Sequence, residues 1–228
     1  MIFQHTSFAD DIDFHDIEFN SSFDLLSSYN QSEYSLVRGN LVHKTAIVNW
    51  DRLEIGKGNS IGPYACIGVE PPNVNEKSDG IIRIGDGNNF CEYVNVHLPT
   101  NKSKGTIIGS GNILMSSAHI GHDVVIEDNV TLCNNTAVAG HAWIMSGVNL
   151  AMNASVHQFK LVGSWSMVGM NTCLNRSTLA EPGNIYFGVP AKNCGPNIIG
   201  LHRAGVSKRH LEQETDRFKS ILKDTNCF

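Results

Sequence analysis

Five of the ten histidines in this 228-residue chain fall between positions 97 and 157: His97, His119, His122, His141 and His157. Imidazole is the side chain that takes and returns a proton near neutral pH, so a cluster of them is a candidate for general-base work. Zinc binding is a second use, because zinc takes three or four nitrogen or sulfur ligands. For any single ring the competing reading is a corner histidine making local hydrogen bonds. Which reading holds depends on whether residues 19 apart (His122, His141) and 16 apart (His141, His157) meet in space.

A repeat in the sequence supplies the geometry. From Ile108, a step of six visits Leu114, Ile120, Ile126, Leu132, Val138, Ile144, Leu150, Val156, Val162, Val168 and Leu174 without a miss. The same phase holds at Ile84, Phe90 and Val96 and breaks at Lys102, while Ile55, Ile61 and Ile67 keep the step with an offset of one. The residues between are turn formers, as in IIGSGN and VIEDNV, which suit sharp corners. Six is neither 3.6 nor 7, so the elements are not helices. Short strands joined by tight bends stack as a parallel β-helix, each coil ~4.8 Å above the last. The expected fold is mainly β, a left-handed parallel β-helix of hexapeptide repeats with a short C-terminal helical tail. With three hexapeptides per coil, positions 18 apart lie one above another. His122, His141 and His157 then project near one corner of three adjacent coils, and His119 sits about one corner away.

Four segments follow. Residues 1–38 lack the repeat, carry seven acids against one base (Arg38) and five phenylalanines, and read as an appendage capping the first coil. Residues 39–176 form the β-helix, with a loop excursion over 69–81 and a basic loop, TNKSKG, over 100–105. Residues 177–196 read as an extended connector. Residues 197–228 form the helical tail, with Asn197 capping a short helix and Ser207 a longer one that places Leu211, Phe218, Ile221 and Leu222 on one face.

Composition narrows the function. A hydrophobic fraction of 41% with 17% charged residues is that of a soluble globular protein, and a net charge of −5 leaves no general nucleic-acid footprint. No run approaches ~18 apolar residues, so no membrane span is expected. The start, MIFQHTSFADDIDF, lacks a charged-then-apolar signal pattern, which places the chain in the cytoplasm. Cys66, Cys91, Cys133, Cys173, Cys194 and Cys227 are scattered without a CxxC pair and read as reduced thiols.

HIGHDV (119–124), AGHAW (139–143) and SVHQF (155–159) resemble the UDP-N-acetylglucosamine acyltransferase family that opens lipid A synthesis. The resemblance runs from about 106 to 175. It is extended by LVHKTAIV (41–48), similar to that family's first coil, and by IIGLHRAGVSK (198–208), similar to the start of its C-terminal helices. It implies a homotrimer with active sites between subunits, an acyl donor carried on acyl carrier protein or coenzyme A, a nucleotide-linked amino sugar as acceptor, and no tightly bound cofactor or metal. It implies His122 as catalytic base, Asp123 as the acid that orients it and the Gly140 N–H as oxyanion donor. His97, His119, His141, His157, Gln158 and Arg203 are implied as substrate-binding residues, and Met170 as the end of the acyl-chain pocket.

The residues alone leave plainer roles open: a turn for Asp123, corner packing for Met170, a solvated helix position for Arg203. The sequence also departs from the family. A pair of arginines becomes Arg203-Ala204, an acidic nucleotide contact becomes Ile199, and GVPAKN (188–193) looks like small sugar acetyltransferases. Three rivals follow: an acetyl-CoA-dependent sugar N-acetyltransferase, a γ-carbonic anhydrase-like zinc enzyme, and a catalytically inert binding solenoid.

Overall fold

A computed structural model describes residues 33–72, 80–100 and 105–224. Most of the N-terminal appendage, the heart of the 69–81 excursion, residues 101–104 of the basic loop and the last four residues lie outside the described residues. Inward aliphatics on a six-residue step build the core. All twelve from Ile108 to Leu174 are at most 2% exposed. Each contributes about 1.5–3 kcal/mol on burial, so a stacked column of them dictates the coil.

The coils form three parallel sheets, the faces of a prism. The first face runs through Asn40–His43, Ser60–Ile61, Asn89–Phe90, Ile113–Leu114, Thr131–Leu132, Asn149–Leu150, Met167–Val168 and Asn184–Phe187. The second runs from Ile47–Val48 through Cys66–Val69, Asn95–His97, His119–Ile120, Ala137–Val138 and Ser155–Val156 to Cys173–Leu174. The third runs from Leu53–Ile55 through Ile82–Ile84, Thr106–Ile108, Val125–Ile126 and Trp143–Ile144 to Leu161–Val162. Ile108 pairs with Ile126 and Ile126 with Ile144, the eighteen-residue coil that the repeat predicts. The molecule is a left-handed β-helix.

From Ile108 to Val168, each inward aliphatic is followed three positions later by a left-handed corner residue. Gly111, Ser117, Asp123, Asn129, Asn135, His141, Gly147, Asn153, Phe159, Trp165 and Asn171 all have φ between 55° and 69°. Side chains other than glycine lose roughly 1–2 kcal/mol there, with asparagine and aspartate the most tolerant. The corner between the third and first faces relies on glycine at 58, 87, 111 and 147. Inside that corner, Asn40, Asn59, Asn88 and Asn112 form a buried ladder, each side-chain oxygen accepting from the backbone of the next rung.

Two departures from the expected segments stand out. The segment 177–196 is not a plain connector: Ala180 and Tyr186 continue the six-residue step, both 0% exposed, and Asn184–Phe187 adds a parallel strand beside Met167–Val168. Lys192–Pro196 then closes that edge antiparallel, as Tyr34–Val37 closes the other end against Asn40–His43. The sheet therefore starts before residue 39 and ends after 176. The step is masked in the sequence because alanine and tyrosine replace the branched aliphatics.

The tail forms α1 (Ile198–Arg203) and α2 (Lys208–Asp224). Asn197 Oδ1 accepts from the Gly200 N–H at 3.1 Å, and Ser207 Oγ accepts from the His210 N–H at 3.2 Å. α2 lies along the third face: Phe218, 1% exposed, packs on Met145 and Leu161. Ser164 Oγ donates to Glu214 at 2.7 Å, and Arg217 holds Glu127 with both of its terminal nitrogens.

Candidate active site

The corner between the second and third faces is where the chain makes its excursions. It leaves the second face after Val69 and again after His97, re-entering the third face at Ile82 and Thr106. At the same corner, on the coil after Thr106–Ile108, stands Asp123, a left-handed corner residue only 5% exposed. Its N–H donates to Thr106 Oγ1 at 3.0 Å. Its Oδ2 accepts from the Thr100 N–H at 3.0 Å and from the Thr100 hydroxyl. These donors favour the charged carboxylate in a buried place.

His122 Nδ1 lies 2.9 Å from the same Oδ2. An ionised carboxylate only accepts, so Nδ1 carries the proton and Nε2 keeps the lone pair. One coil higher, the His141 N–H donates to the His122 carbonyl at 3.0 Å. The His141 ring meets His122 edge-on at 5.0 Å, with Nε2 3.8 Å from Asp123 Oδ2. One coil above that, Phe159 stacks on His141 with centroids 4.5 Å apart and planes 1° from parallel. Asp123, His141 and Phe159 are thus one column of left-handed corners.

Gly140 flanks the base. A Cβ at this position would sit 2.6 Å from His122 Cε1 and 2.7 Å from Nε2, closer than real Cβ contacts come. Only glycine leaves the ring its seat. Among the described residues the Gly140 N–H has no acceptor, which leaves it for a ligand oxygen. On the next coil the Phe159 N–H donates to the Gly140 carbonyl at 3.0 Å, so Gln158 stands over Gly140. His157 and Gln158 are exposed, and His157 Nδ1 meets the Gln158 carbonyl at 3.0 Å.

His97 and His119 pair edge-to-face at 4.9 Å below the base. Burial, then the nearby His119 and His122, push the pKa of His97 down against a hydrogen bond to the Glu70 backbone that raises it. Burial also lowers the pKa of His119. Both rings are therefore neutral at neutral pH and can both donate and accept.

Two implied residues do not join this group within one chain. Met170, 55% exposed, stands at the corner between the first and second faces, with Met152 one coil below it. Arg203 ends α1, whose cap Asn197 is anchored through Nδ2 to the Trp165 carbonyl at the third-to-first corner. Conversely, sequence reasoning missed Thr100, Thr106 and Phe159. Phe159 had a usable signal, since it falls on the six-residue step of corner positions. Thr100 had none, because loop excursions carry no period; Thr106 opens a strand of the repeat, where nothing marks its hydroxyl as a partner of the Asp123 N–H.

Residues 105–140 match the family model described as bacterial transferase hexapeptide (six repeats). An acyl-[acyl-carrier-protein]–UDP-N-acetylglucosamine O-acyltransferase of Synechocystis sp. is 37% identical over 171 residues, 75% of this chain and 61% of that protein. The chain thus spans about three-fifths of the length of that curated relative. The solved UDP-N-acetylglucosamine acyltransferase of Bacteroides fragilis superposes with a TM-score of 0.70 at 30% identity, covering 82% of this chain and 72% of that one. That of Francisella novicida gives 0.61 at 26% identity, over 82% and 79%. By sequence and by architecture, the chain belongs to the UDP-N-acetylglucosamine acyltransferase family.

Proposed function

We propose that this protein transfers an acyl group from a thioester, carried on acyl carrier protein, to the hydroxyl of a UDP-linked N-acetylglucosamine, with His122 as general base. The observation that carries this is the dyad: an imidazole held by a buried carboxylate at 2.9 Å, beside a backbone N–H that has no acceptor among the described residues. The donor and acceptor classes are those in the names of the curated relatives. His122 Nε2 removes the hydroxyl proton as the sugar oxygen attacks the thioester carbonyl. The carbon–oxygen bond forms and the charge on the carbonyl oxygen meets the Gly140 N–H. The carbon–sulfur bond then breaks, and the thiolate takes the proton back from His122. Base and oxyanion donor are each worth about 10²-fold or more.

Three further roles follow. His97, His119, His141, His157 and Gln158 line the acceptor and donor cleft, and Arg203 pairs with the nucleotide phosphates. Met170 ends the acyl pocket. Because Met170 and His122 stand at different corners of one prism, a pocket using both takes them from two copies, which supports a homotrimer with sites between subunits. The setting is cytoplasmic. Among the described residues no helix is long and apolar enough to cross a membrane.

The test is acyl transfer by purified protein to UDP-N-acetylglucosamine, using acyl carrier protein and coenzyme A thioesters of graded length. Transfer from the carrier-protein thioester, lost in His122→Ala, is expected. Transfer from acetyl-CoA alone would replace this reading with the acetyltransferase one. Met170→Gly is expected to lengthen the preferred acyl chain. An unchanged preference would return Met170 to plain packing.

A further inference from the structure

We propose that His122, Asp123 and His141 also form a reversible site for a borderline divalent cation, Zn²⁺ above all, and that its occupation switches the base off. One ligand atom from each residue lies within 4.8 Å of the other two. Asp123 Oδ2 is 2.9 Å from His122 Nδ1 and 3.8 Å from His141 Nε2. Tetrahedral zinc, with metal–nitrogen bonds near 2.0–2.1 Å, spaces its ligands about 3.4 Å apart. The two separations from Asp123 bracket that value, the one between the imidazoles is within 4.8 Å, and rotation of the two rings would close the rest. Two imidazoles and one carboxylate leave a fourth position for water, the donor set of an exchangeable zinc site.

The surroundings are already those that orient metal ligands. Asp123 keeps its Thr100 and Thr106 bonds whether or not a cation replaces its contacts with the two rings. Phe159 fixes the plane of His141 by stacking. Donors of this kind select zinc, cobalt and nickel over magnesium.

The consequence is chemical rather than steric. In the free dyad the His122 proton is on Nδ1 and the lone pair on Nε2. A neutral imidazole bound to metal through Nδ1 carries its proton on Nε2 instead. No proton is gained or lost by the ring, yet the atom that must accept one from the acceptor hydroxyl no longer can. Metal binding therefore inhibits while the cleft stays open. The metal site stands on geometry alone; its inhibitory effect rests on His122 being the base.

The experiment uses full-length protein freed of metal with EDTA. Titration with Co²⁺ alone, followed by visible absorbance and calorimetry, is expected to show one Co²⁺ per chain, displaced by Zn²⁺ and indifferent to Mg²⁺. Asp123→Asn and His141→Gln are expected to weaken binding by about tenfold or more, while His157→Ala binds as wild type. Micromolar Zn²⁺ is expected to suppress acyl transfer and EDTA to restore it. No stoichiometric Co²⁺, or Co²⁺ retained equally by Asp123→Asn and His141→Gln, overturns the site and leaves the transferase reading intact. Co²⁺ bound as expected by a protein with no transferase activity sinks the functional reading and keeps the site. Activity that requires Zn²⁺ overturns the switch.

Discussion

Two corners of the same prism solve the same backbone problem with different residues. At the third-to-first corner, left-handed positions are filled mainly by glycine, and buried asparagines satisfy the backbone behind them. At the second-to-third corner the equivalent positions are Asp123, His141 and Phe159. Phenylalanine and histidine are poor occupants of that region, at roughly 1–2 kcal/mol each. What holds them there is each other, through the stacked rings and the shared carboxylate. Among the described residues the first corner carries a bulky left-handed side chain only at Trp165; the second carries His141 and Phe159 on adjacent coils, and such strain is common where side chains do chemistry.

That contrast can be broken or sharpened by mutation. The largest effect is expected from His122→Ala: a loss of about 10²–10⁴-fold in kcat/KM, with the thermal midpoint unmoved. A comparable loss of stability in this variant would make His122 a structural residue. Next come two glycines. Gly140→Ala places a methyl group in the His122 ring, so activity is expected to fall about 10²-fold. Gly87→Ala, at the other corner, meets nothing within 4 Å and is expected to leave activity alone while costing about 1 kcal/mol for its φ of 65°. Equal activity losses at both would erase the distinction.

Phe159→Gly relieves the left-handed strain but removes the stack, effects of about 1 kcal/mol each. We expect an unchanged melting temperature with about a tenfold lower kcat/KM, and a largely restored rate in Phe159→Tyr. A large drop in melting temperature would place Phe159 among ordinary packing residues.

The smallest effect concerns the tail. Burial opposes ionisation of Glu127, but hydrogen bonds from Arg217, Trp143 and Ser146 outweigh it and hold the carboxyl below its ordinary value. Its contribution is therefore present at neutral pH and fades as pH falls through that lowered value. Proteolysis of α2 is expected to quicken in the wild type only as pH falls below the ordinary carboxylate range, and to lose that step in Glu127→Gln. Identical acid sensitivity in both would assign it to other groups.

The prism was legible because its period is written in side chains that must be buried: twelve unbroken aliphatics leave little freedom. The dyad was also within reach, since adjacent His122 and Asp123 need no folding to be neighbours. His141 became legible only once the eighteen-residue coil was known. Ala180 and Tyr186 were hidden because they satisfy the inward position by different chemistry. Thr100 was hidden because its meeting with Asp123 depends on a loop, and loops obey no repeat. Glu127 and Arg217 sit 90 residues apart with no pattern linking them.

Most solenoids are ladders in which each rung knows only the next, so either end can fray independently. Here α2 runs back along the third face and touches Glu127, Met145, Leu161 and Ser164 in turn. It acts as a splint across several turns of the spiral. Peeling the last coils away must first release that splint, so the rungs that carry the histidine corner should melt together, as one unit, rather than one after another.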